Sequence, residues 1–286
     1  MESTGTETEH GVADIEVEGS SWRGKFAKTL LGSAGSERLR AAFDDADFLK
    51  YRYVDRAGRA NQRALQGFFD VHRDETCVII GNGPSLRRTD LSLLQGVPTF
   101  GLNRIYLMFE ELGFATTYHV VVNRLVVEQY AAEIEDLSVP RFTTRPNASA
   151  FSDGRTPNLL QPLHGLGFSP NITHGVWEGA TVTYVAMQLA YYMGFRKVVL
   201  VGVDHSFGVS GPAHKVVETV QNDSSHFHPN YFGKGIKWQL PDLETSEAAY
   251  RLAGETYRAN GREIVDATVG GALDIFPKVG LAEALH

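Results

Sequence analysis

Short apolar runs alternate with longer amphipathic stretches along the chain beyond residue 74. The apolar runs are rich in Val, Ile and Leu, and they predict strands at 77–81, 99–102, 118–122, 141–144, 197–203 and 263–265. The amphipathic stretches predict helices at 105–112, 125–135, 182–193 and 244–260. Because strands and helices alternate, we expect an α/β domain with a mainly parallel sheet that is covered by helices on both faces.

The first 74 residues follow a different pattern. Residues 1–20 are rich in Glu, Thr, Ser and Gly and offer little to bury, so a disordered tail is predicted there. Residues 21–74 are predicted to form a helical extension. Residues 75–286 then form a single domain, which is within the size that one core can support.

A short basic amphipathic segment lies at residues 21–31. Trp22, Phe26 and Leu30 recur there at a spacing of four, with Arg and Lys residues between them. A helix that packs on its own domain is the favoured interpretation. Peripheral contact with a membrane and binding of a partner are the alternatives.

Composition and charge narrow the class of protein. The net charge of −7 argues against nucleic acid as a partner, because a phosphate backbone requires a basic surface. Cys77 is the single cysteine and lies in a predicted core strand, which favours a buried structural thiol over a nucleophile. The absence of a long apolar stretch and the polar N-terminus predict a cytoplasmic protein. The apolar helices leave room for a homo-oligomer.

The loop after the first predicted strand is the most informative stretch of the sequence. It reads Gly81-Asn82-Gly83-Pro84-Ser85. Gly81 and Gly83 allow positive φ and close approach of a ligand to the backbone, while Pro84 and Ser85 suit the entry to a helix that favours anions. The loop therefore predicts a nucleotide site, with an ordinary strand-to-helix turn as the alternative.

Three asparagines follow three successive predicted strands. Asn82, Asn103 and Asn123 would meet at one edge of the sheet, because the carboxyl ends of parallel strands lie together. A carboxamide both donates and accepts hydrogen bonds, which suits the edge of a pyrimidine, a ribose or a sugar. The alternative is that each one is a turn residue or a helix cap.

Two further clusters follow later strands and helices. Thr181 and Thr183 lie in a small, hydroxyl-bearing stretch before an apolar helix and could hold a phosphate or carboxylate, or Thr181 could simply cap the helix. Asp204 and His205 follow the strand predicted at 197–203. Asp204 could orient His205 or bind a hydroxyl, and the alternative is that it caps the loop.

A histidine-containing stretch lies in a long predicted loop, at residues 222–233, before the last long helix. Long loops in compact domains often bind ligands. His226 and His228 titrate near neutral pH, so either could remove a proton from an acceptor hydroxyl. Their spacing would also permit zinc binding, with Asp204 as the candidate partner, but no metal site is predicted.

These residues together carry a resemblance to known families. Bacterial CMP-sialic-acid-dependent sialyltransferases with a variant GT-A fold resemble the chain at Gly81-Asn82-Gly83-Pro84-Ser85-Leu86, Asn103, Asn123, Glu128-Gln129-Tyr130 and Asn222-Asp223-Ser224-Ser225-His226. The related MptE-like family resembles it from residue 179 to 207, at Gly270-Gly271 and at Phe276-Pro277. That family includes the glycosyltransferase domain of motility-associated factors and the 6-hydroxymethylpterin diphosphokinases.

The resemblance implies a Rossmann-like, variant GT-A domain and an inverting, metal-independent glycosyltransferase. The implied donor is a CMP-activated sugar, sialic-acid-like or another keto-sugar acid, and the acceptor is a glycan or glycoprotein; no cofactor is implied. Asn82, Asn103 and Asn123 become ligands of the donor, with 181–183 close to it. His226 becomes the general base.

The sialyltransferases hold the leaving phosphate with two tyrosines that have no counterpart after the strand at 197–203. The loop here reads Asp204-His205-Ser206-Phe207. His205 and Tyr231 are the alternatives for that role, and we hypothesise that His205 stabilises the departing anion.

Two other functions remain open from the sequence. A 6-hydroxymethylpterin diphosphokinase would transfer pyrophosphate from ATP and would recruit Mg²⁺ on carboxylates. Asn123 stands where such an acid would be expected. A non-catalytic nucleotide-binding scaffold in polysaccharide assembly is the third hypothesis.

Overall fold

The computed structural model describes residues 12–14, 46–152, 154–206, 211–219, 226–228, 231 and 236–286. The predicted amphipathic segment at 21–31 and the residues Asn222 to Ser225 lie outside the described residues. The same holds for Phe207, for most of the predicted tail and for residues 21–45 of the predicted helical extension.

Ten strands, within the residues that the structure describes, form two separate sheets. In chain order they are β1 (Val12–Asp14), β2 (Thr76–Ile80), β3 (Thr99–Leu102), β4 (Tyr118–Val120), β5 (Arg141–Thr144), β6 (Asn158–Leu160), β7 (Lys197–Val201), β8 (Val216–Thr219), β9 (Lys237–Gln239) and β10 (Glu263–Asp266). The large sheet has seven strands in the order β10-β7-β2-β3-β4-β5-β6, and every pair in it is parallel. The predicted α/β fold with a parallel sheet is confirmed.

Six α-helices are bounded within the described residues: α1 (Arg56–Gln66), α2 (Phe109–Leu112), α3 (Arg124–Glu135), α4 (Val182–Tyr192), α5 (Leu243–Ala259) and α6 (Leu281–Ala284). Residues 46–53 are also helical. The segment predicted as one helix at 105–112 begins as a 3₁₀ turn at Ile105–Met108 and continues as α2. In the described part of the chain, no helix has the length and apolar character needed to cross a membrane.

The large sheet is covered on both faces. Cys77 and Ile79 of β2 join a core cluster with residues of α4 and α5, whereas Val78 and Ile80 join a second cluster with residues of α3. Alternate residues of a strand point to opposite faces, so one strand supplies both clusters. Cys77 is completely buried, which confirms the prediction of a buried thiol.

The order of the strands creates a switch point between β2 and β7. From β2 the chain adds β3, β4, β5 and β6 outward on one side, and then it returns to place β7 on the other side of β2. Connections therefore diverge at the carboxyl ends of these two strands and leave a crevice between them. Ligands of open α/β sheets bind in this position.

A small antiparallel sheet has the order β1-β8-β9, and its strands β8 and β9 lie on either side of the predicted loop at 222–233. Val217 and Trp238 from this sheet are buried in the second core cluster. The side chain of Gln129 in α3 hydrogen-bonds to both the backbone oxygen and the backbone nitrogen of Lys237 in β9. At residues 12–14 the prediction of a disordered tail is wrong, because they pair with β8.

Candidate functional site

Two adjoining cavities lie at the carboxyl edge of the large sheet. The smaller, of about 160 Å³, is lined by the loops that follow β2 and β7 and by the start of α4. The larger, of about 470 Å³, extends past the ends of β4 and β5 to the small sheet. Both are lined by Asn103, residues 180–182 and His226. They therefore form one cleft that begins at the switch point.

Asn82 and Asn103 present unused acceptors in this cleft. The side-chain oxygen of each is buried and has no hydrogen-bond partner among the described residues. Asn82 lines the smaller cavity and Asn103 lines both. A buried acceptor without a partner is costly, and in a cleft it is readily satisfied by a donor group of a ligand.

Asn103 is held in a strained backbone conformation. Its φ is 46°, a left-handed value that non-glycine residues adopt uncommonly. Its amide donates to the oxygen of Val120, and its carbonyl lies 2.5 Å from Nε2 of His119. Burial lowers the pKa of His119 to about 4, so the ring is neutral at pH 7 and can donate from Nε2 to that carbonyl.

Asn123 caps α3. Its side-chain oxygen accepts from the backbone amides of Leu125 and Val126, at 2.9 and 3.3 Å. This is the helix-cap alternative that the sequence left open. The residue also lines the larger cavity, so the three predicted asparagines share one cleft although their side-chain oxygens differ in use.

The loop after β2 does not have the predicted form of a phosphate cradle. Neither Gly81 nor Gly83 has a positive φ, and their amides donate to the backbone oxygens of Val201 and Gly202. A Cβ at Gly81 would meet the oxygen of Gly202 at 2.3 Å, so this glycine allows the ends of β2 and β7 to pack closely.

Ser85 and Asp204 explain the rest of this loop. The amide of Ser85 donates to one carboxylate oxygen of Asp204, and its hydroxyl donates to the other at 2.5 Å. A Cβ on Gly83 would fall on the same carboxylate. Ser85 is completely buried, and neither it nor Pro84 lines the smaller cavity. The predicted anion-binding helix start at these two residues is therefore wrong; Asp204 instead ties the two loops together.

His205 lies beside Asp204 in the smaller cavity. Its φ is 53°, and its Nε2 is 3.2 Å from a carboxylate oxygen of Glu247 in α5. Asp204 uses both carboxylate oxygens on Ser85, and Glu247 is the carboxylate that contacts the imidazole of His205. When protonated, His205 would be an ion-pair partner of Glu247 and a cation at the edge of the cleft.

The start of α4 faces the smaller cavity. Thr181 is the N-cap, and its hydroxyl accepts from the amide of Thr183 at 3.3 Å. That hydroxyl also lies 3.3 Å from the phenol oxygen of Tyr250. Both threonines line the cavity. Thr181 therefore caps the helix, which was the alternative from the sequence, and also lies at the cleft. The positive end of the helix dipole favours an anion here.

The segment that carries His226 is fastened to the cleft from two sides. The amide of Phe227 donates to the oxygen of Asn82 at 2.9 Å, and Nε of Arg87 donates to the oxygen of Phe227 at 2.6 Å. The ring of His226 stacks on that of Tyr231, with centroids 4.0 Å apart and planes 5° apart. His226 lines both cavities, whereas His228 lines neither.

Arg104 is a site residue that the sequence did not identify. It is 6% exposed, donates to the backbone oxygen of Tyr231, and lies 3.1 Å from a carboxylate oxygen of Glu133. Its guanidinium lies 3.7 Å from the ring centroid of Tyr130. Arg104 therefore fixes the position of Tyr231 and, through ring stacking, of His226. The sequence signal that could have identified Arg104 is its position directly after Asn103, a predicted site residue.

Glu178 and Asn147 were also missed. Both line the larger cavity. Asn147 follows β5 and donates to the oxygen of Val122 at 2.9 Å, so a fourth carboxamide lies at this edge of the sheet. Burial raises the pKa of Glu178. Among the residues that the structure describes, no group of three His, Cys, Asp or Glu side chains is arranged to hold a metal ion.

The chain is similar to a known protein family over more than half of its length. A family model described as 6-hydroxymethylpterin diphosphokinase MptE-like matches residues 55–210, which is more than half of the chain. The chain belongs to the MptE-like family. The match includes the Gly81 loop, the three asparagines and the start of α4, while the His226 segment of this MptE-like protein and α5 lie beyond it.

A solved structure is similar to this MptE-like chain at low identity. It is the MAf glycosyltransferase from Magnetospirillum magneticum AMB-1, with 13% identity and a TM-score of 0.47. The similar region covers 79% of this chain and 39% of that one, so this chain spans less than half the length of that protein. No curated protein is similar enough to this chain to count as a match.

Proposed function

We propose that this MptE-like protein is a glycosyltransferase that transfers a sugar from a CMP-activated donor to a hydroxyl of a glycan or glycoprotein. The donor sugar is sialic-acid-like or another keto-sugar acid. The transfer inverts the configuration at the anomeric carbon and uses neither a metal ion nor a cofactor. The nucleotide occupies the smaller cavity at the switch point, and the acceptor approaches from the larger cavity.

The unpartnered side-chain oxygens of Asn82 and Asn103 carry this proposal. Both are buried acceptors at the switch point, so the ligand that satisfies them must donate hydrogen bonds. The amino group of cytosine and the hydroxyls of ribose and sugar are such donors, whereas a phosphate offers acceptors. The phosphate of the nucleotide is bound by the start of α4, which lines the same cavity and favours anions.

The position of His226 supports its role as the general base. It lies in the wall that the two cavities share, between the proposed donor and acceptor. His226 takes the proton of the acceptor hydroxyl while the acceptor oxygen bonds to the anomeric carbon. The bond from that carbon to the phosphate oxygen breaks, and its electron pair leaves with CMP. His205, when protonated, stabilises the departing phosphate.

A second candidate function is supported by the description of the matching family, which names a 6-hydroxymethylpterin diphosphokinase. This reaction requires ATP and Mg²⁺, held by carboxylates. Both oxygens of Asp204 at the switch point are already hydrogen-bonded to Ser85, which makes it a poor magnesium ligand. The glycosyltransferase is therefore the function that the geometry of the cleft favours.

A thermal-shift panel distinguishes the two functions. CMP, UDP, GDP and ATP are each added with and without Mg²⁺ to the wild type. At one hundred times its dissociation constant, a ligand that binds only the folded protein stabilises it by about 2.7 kcal/mol, which raises Tm by about 5 °C. We expect this rise for CMP without Mg²⁺. A rise in Tm that occurs only with ATP and Mg²⁺ together would establish the diphosphokinase. No rise in Tm with any of the nucleotides would contradict both proposed functions.

Two matched variants locate the binding. Asn103→Ala removes one hydrogen bond to the nucleotide or sugar, so we expect about a tenfold weaker CMP affinity. Asn260→Ala, an exposed change at the far end of α5 and about 25 Å along that helix from the cleft, should bind CMP as the wild type does.

A third variant, His226→Ala, tests the general base. It should still bind CMP but should release CMP from CMP-N-acetylneuraminate much more slowly than the wild type. Equal release by this variant would refute the assigned base.

A further inference from the structure

Glu178 begins a tight turn that leads directly into α4. The two central residues, Gly179 and Ala180, have φ values of 52° and 56°, and the amide of Thr181 donates to the oxygen of Glu178 at 3.0 Å. Glycine is required at 179 for space as well, because a Cβ there would meet the ring of Tyr184 at 2.6 Å. This turn places Glu178 in the lining of the larger cavity and not of the smaller one.

The carboxylate of Glu178 lacks a partner within the part of the chain that the structure describes: it makes no hydrogen bond and no ion pair there. Burial raises its pKa, as expected for a carboxyl group removed from water. Other charged side chains of the same cavity are paired: Nε of Arg124 lies 2.6 Å from Glu128, and His214 lies 3.3 Å from Asp242. Glu178 therefore adds a negative charge that a ligand meets in the larger cavity, whose lining also includes the start of α4.

A second acceptor in the same cavity also lacks a partner. It is the buried side-chain oxygen of Asn103, which lies at the boundary with the smaller cavity. Under the proposed function the nucleotide takes this oxygen, so the carboxylate of Glu178 is the acceptor that remains for a ligand of the larger cavity, whose walls include Val122, Val182 and Trp238. A ligand with hydrogen-bond donors at its edges and an apolar face fits such a cavity, and a sugar ring has both.

We propose that the larger cavity is the acceptor site and that Glu178 selects the acceptor by charge. Hydroxyl and ammonium groups are bound by its carboxylate, and acidic sugars are disfavoured. The inference rests on the proposed glycosyl transfer. It adds to it the chemical class of the acceptor: a neutral or amino sugar rather than a uronic or other acidic sugar.

Three methyl glycosides that differ in charge test this inference. Methyl glucosaminide, methyl glucoside and methyl glucuronide are each titrated against the full chain in the presence of saturating CMP, with affinity measured by ligand-observed NMR. We expect the wild type to bind the glucosaminide about tenfold more tightly than the glucuronide, because a charge-assisted hydrogen bond to Glu178 replaces a repulsion. In Glu178→Gln, the two affinities should agree within about twofold.

Glu110→Gln is the matched control, since Glu110 is an exposed acid outside both cavities. It should keep the wild-type preference. The inference is overturned if Glu178→Gln retains the preference, if the wild type binds the glucuronide as well as the glucosaminide, or if none of the three glycosides binds. CMP binding is measured separately by thermal shift. A protein that binds CMP but shows any of these results keeps its proposed function and loses only the acceptor assignment.

Discussion

At the scale of single residues, strained backbone marks the cleft. Asn103, Ala180 and His205 all have left-handed φ values although none is glycine, and all three line the smaller cavity. Such conformations cost free energy and persist where the surrounding structure holds them, which is common at functional sites. For Asn103 the stabilising contact comes from His119 in β4, whose Nε2 lies within hydrogen-bond distance of the carbonyl of Asn103.

His119 gives the stability of the fold a dependence on pH. Its pKa is about 4 in the folded protein because it is buried, against about 6.5 in an unfolded chain. Between these two pKa values the unfolded state binds a proton on His119 that the folded state does not bind. The free energy of unfolding therefore decreases as pH falls from about 6.5 towards 4. We expect this histidine to reduce the free energy of unfolding by about 2.5 kcal/mol between pH 7 and pH 4.5.

Urea unfolding of the wild type and of His119→Gln, each at pH 7 and pH 4.5, measures this contribution. Glutamine does not titrate and can still donate to the carbonyl of Asn103. The variant should lose less stability than the wild type over this interval, by about 2.5 kcal/mol. Equal losses in the two proteins would show that His119 is not buried as a neutral ring.

At the scale of elements, the end of β3 connects the parallel sheet to the His226 segment. Asn103 faces the cleft, and the next residue, Arg104, crosses to the backbone of Tyr231 and to Glu133 of α3. A planar guanidinium makes several directed hydrogen bonds at once, and lysine cannot reproduce this geometry. The position of the proposed base therefore depends on an arginine in a different element.

Arg104→Lys should loosen that segment without unfolding the domain. Removing the guanidinium leaves the carbonyl of Tyr231 without its donor, which costs about 1–3 kcal/mol locally. We expect amide hydrogen exchange at Phe227 and Tyr231 to be at least about tenfold faster, while the strands of the large sheet keep their protection. Arg155→Lys, which changes an exposed arginine paired with Asp136, is the control. Unchanged exchange in Arg104→Lys would mean that other contacts hold the segment.

Much of the element pattern could be predicted from the sequence, because buried parallel strands are continuous apolar runs. The predicted strand at 77–81 overlaps β2 and that at 197–203 contains β7, and the buried positions of both are Cys, Val, Ile or Leu. The short strands β6, β8 and β9 were missed, since three or four residues with polar members, such as Lys237–Gln239, carry little periodicity. Their pairing partners, distant in sequence, determine them.

At the scale of the whole molecule, the sequence predicted that the three asparagines lie at one edge of the sheet but not what each one contacts. Placing asparagines after successive parallel strands was enough to bring them to one edge. The roles of Gly83 and Ser85 could not be predicted, because they depend on Asp204, which lies 119 residues from Ser85 in the chain. Arg104 illustrates the same limit, since its partner carbonyl lies 127 residues away.

The topology also provides two connected cavities for the two substrates of the proposed reaction. The switch point between β2 and β7 opens the smaller cavity, and the small sheet, packed on α3, closes the outer side of the larger one. The start of α4, which favours anions, lines both cavities, whereas the carboxylate of Glu178 lines the second alone. This difference between the cavities suits a phosphate-bearing donor in the first and a neutral or cationic acceptor in the second.

A crystal structure of the protein with CMP would show directly whether the cleft binds the proposed donor. We expect CMP in the smaller cavity, with hydrogen-bond donors of the nucleotide within about 3.2 Å of the side-chain oxygens of Asn82 and Asn103 and with its phosphate towards the start of α4. CMP bound elsewhere on the protein, or a metal ion held by His205 and His226 in that cavity, would contradict it.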